Sequence, residues 1–333
     1  MQRLTFADIE FIREQPGKSL LLFITDRCPV ECAHCSVDSR HDSPTISDFG
    51  LFKHIVQGIC AQPTLELIGI SGGEPFVERR GLMLAMELLD QAQKNIVLYT
   101  RGIWATSTPP LWIREVIRKA SCIILSTDAF HAAKIDDDRY IHAARTIAGE
   151  GTWIVVQVLN VPAMVQKAEW LLLQAFGSAY HNHAELHLIP PLTSGRGNTV
   201  FFAPRKRPGN SFGRCPILTS PVLRYDGILS PCCNEGVITG KGPERLRVQC
   251  FSSEDVTTEL AQFATDPLLK IMSTIGVGML THHQRFAHLA QQQFGDICQL
   301  CWAMQEQVST EKQDSDRFLS LLASLPGKIS PSN

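Results

Sequence analysis

Three cysteines fall within eight residues, as Cys28-x-x-x-Cys32-x-x-Cys35. Thiolates this close can share one metal centre, and soft sulfur suits zinc or iron–sulfur. A structural zinc site closes with four ligands, and His34, adjacent to Cys35, is poorly placed to be the fourth. Three protein ligands on a four-iron cube instead leave one iron open, where a substrate or cofactor can bind. Zinc or plain buried thiols are the alternatives for this triplet. A second set is spread more widely: Cys215, Cys232 and the pair Cys298-x-x-Cys301. Four ligands fill a cube, giving a closed centre suited to electron relay or structure, although a zinc knuckle fits the same residues.

Cys233 directly follows Cys232. In an extended segment neighbouring side chains point to opposite sides, so one sulfur can hold a cluster while the next faces elsewhere. A spare buried thiol, or a substitute ligand for Cys232, are the other readings. Cys60 and Cys122 lie in apolar stretches and read as core, which leaves Cys250 without a clear role. Away from the thiols, Ser71-Gly72-Gly73-Glu74-Pro75 follows a β-rich run. Paired glycines let a backbone approach a ligand closely, and Glu74 can receive an ammonium group. Alone, the same five residues read equally as an ordinary strand-to-helix turn.

The elements that carry these residues alternate. Strand-like runs occur at Leu20–Thr25, Leu65–Ile70, Ile96–Thr100, Cys122–Ser126, Trp153–Leu159 and Ala184–Ile189. Helical spacing fills Ile46–Cys60, Arg79–Gln93, Pro110–Lys119, Asp136–Gly149 and Pro162–Phe176. This alternation predicts parallel βαβ units with active residues at the strand C-termini, as an open sheet or a partial barrel. Residues 191–214 read as a linker rich in Pro, Gly and basic side chains. Beyond it, Val222–Tyr225 and Ile228–Ser230 flank Asp226-Gly227, a tight-turn pair that predicts a hairpin. Helices are expected at Thr257–Ser273 and Leu300–Leu325, and a frayed tail at Gly327–Asn333.

Composition narrows the class. With 31 Lys+Arg against 33 Asp+Glu the chain lacks the basic footprint of a nucleic-acid binder. No apolar run is long enough to span a membrane and no signal segment is legible, so the expectation is cytoplasmic. The cytosol keeps thiols reduced, and eleven cysteines there call for metal, redox chemistry or burial rather than disulfides. Two histidine groups, His181/His183/His187 and His282/His283/His288, read as solvated faces rather than metal sites. The basic run Arg205-Lys206-Arg207 can guide an acidic peptide, or simply be solvated.

The cysteine triplet and the Gly-Gly-Glu-Pro turn together resemble the radical S-adenosylmethionine (SAM) superfamily. The resemblance covers Leu20 to about Pro190. It implies a partial (βα)6 barrel over residues 1–190. In that family a [4Fe–4S] cluster on the three thiols binds SAM through its open iron, and reductive cleavage gives a 5′-deoxyadenosyl radical. Gly72, Gly73, Glu74, Ser126 and Asp128 fall where members contact SAM. Members usually carry Asn or Ser where this chain has Arg101, and Arg196 in Gly195-Arg196-Gly197 is placed to reach a carboxylate or to sit in a surface loop. The later cysteines resemble the twitch domain, a small auxiliary [4Fe–4S] module, here 215–333. The Tyr-Asp-Gly-x-x-x-Pro-Cys-Cys pattern, with Arg101-Gly102-Ile103-Trp104 and Ser126-Thr127-Asp128-Ala129-Phe130-His131, resembles the radical SAM peptide epimerases. There the second cysteine of the pair, here Cys233, donates hydrogen; Cys250 is the weaker candidate. The implied substrate is a peptide or a small natural product, and the implied electron donor is of flavodoxin or ferredoxin type. A dehydrogenase of an alcohol or sugar, and a thioether- or carbon-bond-forming maturase, are the competing activities.

Overall fold

In the computed structural model, which describes residues 2–132 and 134–310, the apolar runs become a parallel sheet. Helix α1 (Phe6–Arg13) leads into β1 (Ser19–Phe23). There follow α2 (Phe49–Cys60), β2 (Leu67–Ser71), α3 (Arg79–Gln91), β3 (Asn95–Thr100), α4 (Leu111–Arg118) and β4 (Cys122–Ser126). The short α5 (Ala129–Ala132), α6 (Asp137–Gly149), β5 (Trp153–Leu159), α7 (Pro162–Phe176) and β6 (Ala184–Ile189) complete the series. All six strands pair in sequence order and in parallel, each after a crossover helix. The result is the expected α/β architecture, built on a large parallel sheet.

Strand alternation decides which residues reach the site. Leu22 and Ile24 pack outward with Phe52, Ile55 and Ile59 of α2, while Leu21 and Phe23 line a central cavity. Leu4 and Ile9 pack on Leu67, Val97, Ile124 and Val155. Helix α1 thereby covers the inner face of the sheet near the strand starts. The capping box at Thr5, whose side chain and Asp8 exchange hydrogen bonds with the backbone, fixes where that helix begins.

The hairpin forms at the predicted turn, as β8 (Val222–Arg224) and β9 (Ile228–Ser230), after the two-residue β7 (Arg207–Pro208). Gly227 supplies the positive φ of +86° that the turn needs. The hairpin is not a separate layer. Strand β8 pairs in parallel with β1, so with β10 (Val248–Gln249) the sheet reaches nine strands in the order β10-β9-β8-β1-β2-β3-β4-β5-β6. The short α8 (Glu235–Ile238) follows the hairpin. A second core of Phe212, Leu268, Ile271, Met272, Phe286 and Met304 gathers the C-terminal helices.

One expected helix is in fact two. Thr257–Ser273 divides into α9 (Ser253–Thr265) and α10 (Pro267–Thr274). Pro267 has no N–H to continue α9 and fits the first position of a new helix, which Asp266 caps by accepting from Leu269 N. The strand β11 (Gln293–Phe294) pairs with β7, and α11 (Ile297–Thr310) begins three residues before the expected helix at Leu300. Residues 311–333, including the rest of that helix and the tail, lie outside the described residues. Among the described residues, no helix is long and apolar enough to cross a membrane.

Candidate functional site

The loop after β1 carries Cys28, Cys32 and Cys35, all buried. Cys28 N donates to Arg40 O (2.8 Å) and Cys35 N to Cys32 O (3.1 Å), which folds the loop back on itself. Ser39 N points at Cys35 Sγ (3.4 Å). Burial pushes the Cys32 thiol up to about 11, against the pull of the Arg101 guanidinium. Arg196 does not face the cavity. Its guanidinium donates to Cys32 O (2.8 and 3.0 Å) and Ser39 O (3.1 Å) and pairs with Asp38 (2.5 Å). With Arg196 N on Cys35 O (2.9 Å), it clamps the linker turn onto the cysteine loop.

Gly72 and Gly73 meet that loop from β2. A Cβ on Gly72 would lie 2.5 Å from Thr25 O, and one on Gly73 2.2 Å from Arg27 O. The glycines are therefore required by backbone packing as well as by any ligand. Gly73 N donates to Thr25 O (2.7 Å) and Glu74 N to Arg27 O (3.0 Å). Glu74 is fully buried, and its carboxylate accepts from the Thr100 hydroxyl (2.9 Å) and Arg101 N (3.0 Å). It is not on the cavity wall: its acceptors are engaged by the end of β3, so an ammonium would have to share them. Burial also pushes its carboxyl upward, opposed by Arg101.

Arg101 was the departure from the family pattern, and it is built into the floor of the site. Its Nη1 donates to Gly73 O (2.6 Å) and its Nε to His131 Nε2 (3.1 Å). Although burial opposes its charge, Cys28, Cys32 and Glu74 around it hold it protonated. Ser126 and Asp128 line the same cavity as Gly72, Gly73 and Arg101. Asp128 accepts from Phe130 N (2.8 Å) and lies 3.1 Å from His34 Nε2. Its other neighbour is His131 Nδ1, 3.2 Å away but without hydrogen-bond geometry. Burial holds His131 down at about 3, so it is neutral and receives the Arg101 hydrogen bond. Sequence reasoning missed this Arg101–His131–Asp128–His34 chain, because its members come from three separate loops. The one available signal was His131 three residues after Asp128.

That group is also the one place, among the described residues, where three or more candidate ligand atoms all lie within 4.8 Å. A tetrahedral zinc with Zn–S near 2.3 Å would draw thiolates to about 3.8 Å of one another, and neither cysteine set is that tight. Cys215, Cys232, Cys298 and Cys301 nevertheless line one small pocket. Asn234 Nδ2 points at Cys298 Sγ (3.3 Å), and burial pushes the Cys301 thiol up to about 12. Cys233 lines the central cavity of about 380 Å3 together with Gly72, Gly73, Arg101, Ser126 and Asp128. Burial pushes its thiol up to about 11 against the pull of Arg13. Cys122 and Cys250 are buried and Cys60 half-buried. His187 stacks on Phe6 and His183 on Phe176, so neither is a free ligand.

The parallel sheet, the three-thiol loop after β1 and the Gly-Gly-Glu-Pro turn after β2 are brought together in the fold, as the resemblance to the radical SAM superfamily implies. The three buried thiols beside a fixed guanidinium are a donor set that fits an anionic [4Fe–4S] cluster. No protein-family model matches the sequence. The chain is similar to the putative peptide biosynthesis protein YydG of Bacillus subtilis (strain 168), 28% identical over 303 residues, covering 86% of this chain and 92% of the relative. Among solved structures it is similar to Streptococcus suis SuiB, with a TM-score of 0.48 and 12% identity over 79% of this chain and 68% of that one. Native anSMEcpe with bound AdoMet and Cp18Cys peptide gives 0.47 and 13% over 92% and 98%. BtrN in complex with AdoMet and 2-DOIA gives 0.44 and 12% over 88% and 94%.

Proposed function

We propose that this chain is a radical SAM epimerase that inverts an α-carbon in a peptide. The observation that carries the reading is the split of the Cys232–Cys233 pair between two sites. Cys232 lines the pocket of Cys215, Cys298 and Cys301, and Cys233 lines the cavity of Gly72, Gly73, Ser126 and Asp128. The likeness to a relative named for peptide biosynthesis supports a peptide as substrate.

Cys28, Cys32 and Cys35 would hold a [4Fe–4S] cluster that, with SAM bound, supplies a 5′-deoxyadenosyl radical able to take a hydrogen atom from the substrate carbon. The chain's own residues do the rest. Gly72, Gly73, Ser126 and Asp128 would bind and orient SAM, and Arg101 holds the Gly73 carbonyl in place. Cys233 then gives its S–H hydrogen to the opposite face of the carbon: the S–H bond breaks, the new C–H bond forms, and a sulfur radical remains. One electron, drawn from an external donor of flavodoxin or ferredoxin type, and one proton from solvent would restore the thiol. The neighbouring residue, Cys232, belongs to the second thiol set, whose four cysteines would hold an auxiliary [4Fe–4S] cluster in a twitch-like domain.

Run in D2O with a candidate precursor peptide, the enzyme places one deuterium at each inverted centre. Cys233→Ala keeps SAM cleavage and loses inversion. Product two mass units lighter, without solvent deuterium, is the result of a dehydrogenase and contradicts the proposal.

A further inference from the structure

A second cavity of about 460 Å3 lies between the cysteine loop and the hairpin with its following helix α8. Ser36, Val37 and Ile238 line both this groove and the inner cavity that holds Cys233. The two spaces are therefore adjacent and divided by that threshold. The charges in the groove do not cancel. Asp26 is taken by Arg224 (2.8 Å) and the Tyr225 hydroxyl (2.7 Å). Asp38 is taken by Arg196 (2.5 Å) and Arg40 (3.0 Å). Lys241 is exposed and has no carboxylate partner among the described residues. Arg247 gives its donors to the carbonyls of Lys241 and Gly242 (the latter 3.2 Å), so among the described residues its charge is also unmatched.

From the adjacency of the two cavities across that threshold and this unbalanced positive charge, we infer that the groove is the entrance by which an acidic peptide segment reaches Cys233. The inference rests on the peptide reading above and adds to it the charge of the segment beside the reacting residue. Lys241 and Arg247 would hold that segment at the groove while the reacting residue passes Val37 and Ile238.

The test needs no knowledge of the natural substrate. Cluster-loaded enzyme is treated anaerobically with two synthetic probes, bromoacetyl-Gly-Gly-Glu-Glu-Glu-amide and its Lys-Lys-Lys counterpart. In each case the Cys233 sulfur displaces bromide, a C–S bond forms and the thiol proton is released to buffer. Peptide mapping by mass spectrometry follows Cys233, with Cys60 as internal control. The expected result is alkylation of Cys233 at least about tenfold faster by the glutamate probe, with the preference abolished at high salt. Lys241→Glu alone, and Lys241→Glu with Arg247→Glu, should each remove or reverse that preference. The exposed Lys241 change keeps the test open if the double variant misfolds. Equal rates for the two probes, or a preference that survives Lys241→Glu and vanishes instead on replacing Arg205 and Lys206, overturns the inference. Because alkylation does not require hydrogen donation, failure of the deuterium experiment would remove the epimerase reading while leaving this result readable.

Discussion

Individual side chains here act mostly by fixing the cysteine loop. Arg196 spans from the linker turn to two carbonyls of that loop, a role that a lysine with its single ammonium cannot reproduce. Partners that orient a metal's ligands typically matter about 10–100-fold in metal affinity. Arg196→Ala should accordingly lose iron from the first site to a chelator about tenfold faster or more, with iron at the second site unchanged. Gly73→Ala is the sharper lesion. Its Cβ would meet Arg27 O at 2.2 Å, so the loop must move, and the expected outcome is loss of the first site's iron and of all SAM cleavage. Part of this was legible. The paired glycines pointed to a close backbone approach, which Gly72 and Gly73 make against Thr25 and Arg27. The roles of Arg196 and Glu74 were not, because both depend on which backbone groups lie within reach after folding. Spacing put each near a ligand; packing turned Arg196 onto the cysteine loop and Glu74 onto the end of β3.

Among the elements, the parallel pairing of β8 with β1 joins the two halves of the chain. It is reinforced by Arg224, which pairs with Asp26 at the end of β1 and with Asp226 in the hairpin turn (3.1 Å). Arg224 is buried, and removing one partner of a buried ion pair strands the other charge at a cost of about 3 kcal/mol or more. Arg224→Met should lower unfolding stability by about that much in urea titration. Adding Asp26→Asn should recover part of the loss, because the two side chains share one interaction. Strands β1 to β6 of the nine-stranded sheet were readable from their apolar runs, and β4, β5 and β6 match the expected bounds. The hairpin was readable from Asp-Gly, but its docking on β1 was not, since a local turn signal carries no information about which sheet edge it will extend. The split between α9 and α10 was missed because apolar periodicity runs straight through Asp266-Pro267, and the proline overrides it.

At the scale of the whole molecule, the two thiol sets and the cavity between them make one testable object. Two four-iron centres predict about eight irons per chain after anaerobic purification, and Cys298→Ala with Cys301→Ala should leave about four. Zinc in the second set would contradict its assignment as a cluster. On the proposed function, the arrangement of Cys232 and Cys233 on either side of one peptide bond would tie that second set to the reaction. The most direct measurement is therefore the product made in D2O by wild-type enzyme and by Cys233→Ala. The account predicts one deuterium at each inverted α-carbon for the wild type, and continued SAM cleavage without inversion for the variant. Inversion by Cys233→Ala at the wild-type yield, or an unlabelled product two mass units lighter, would contradict it.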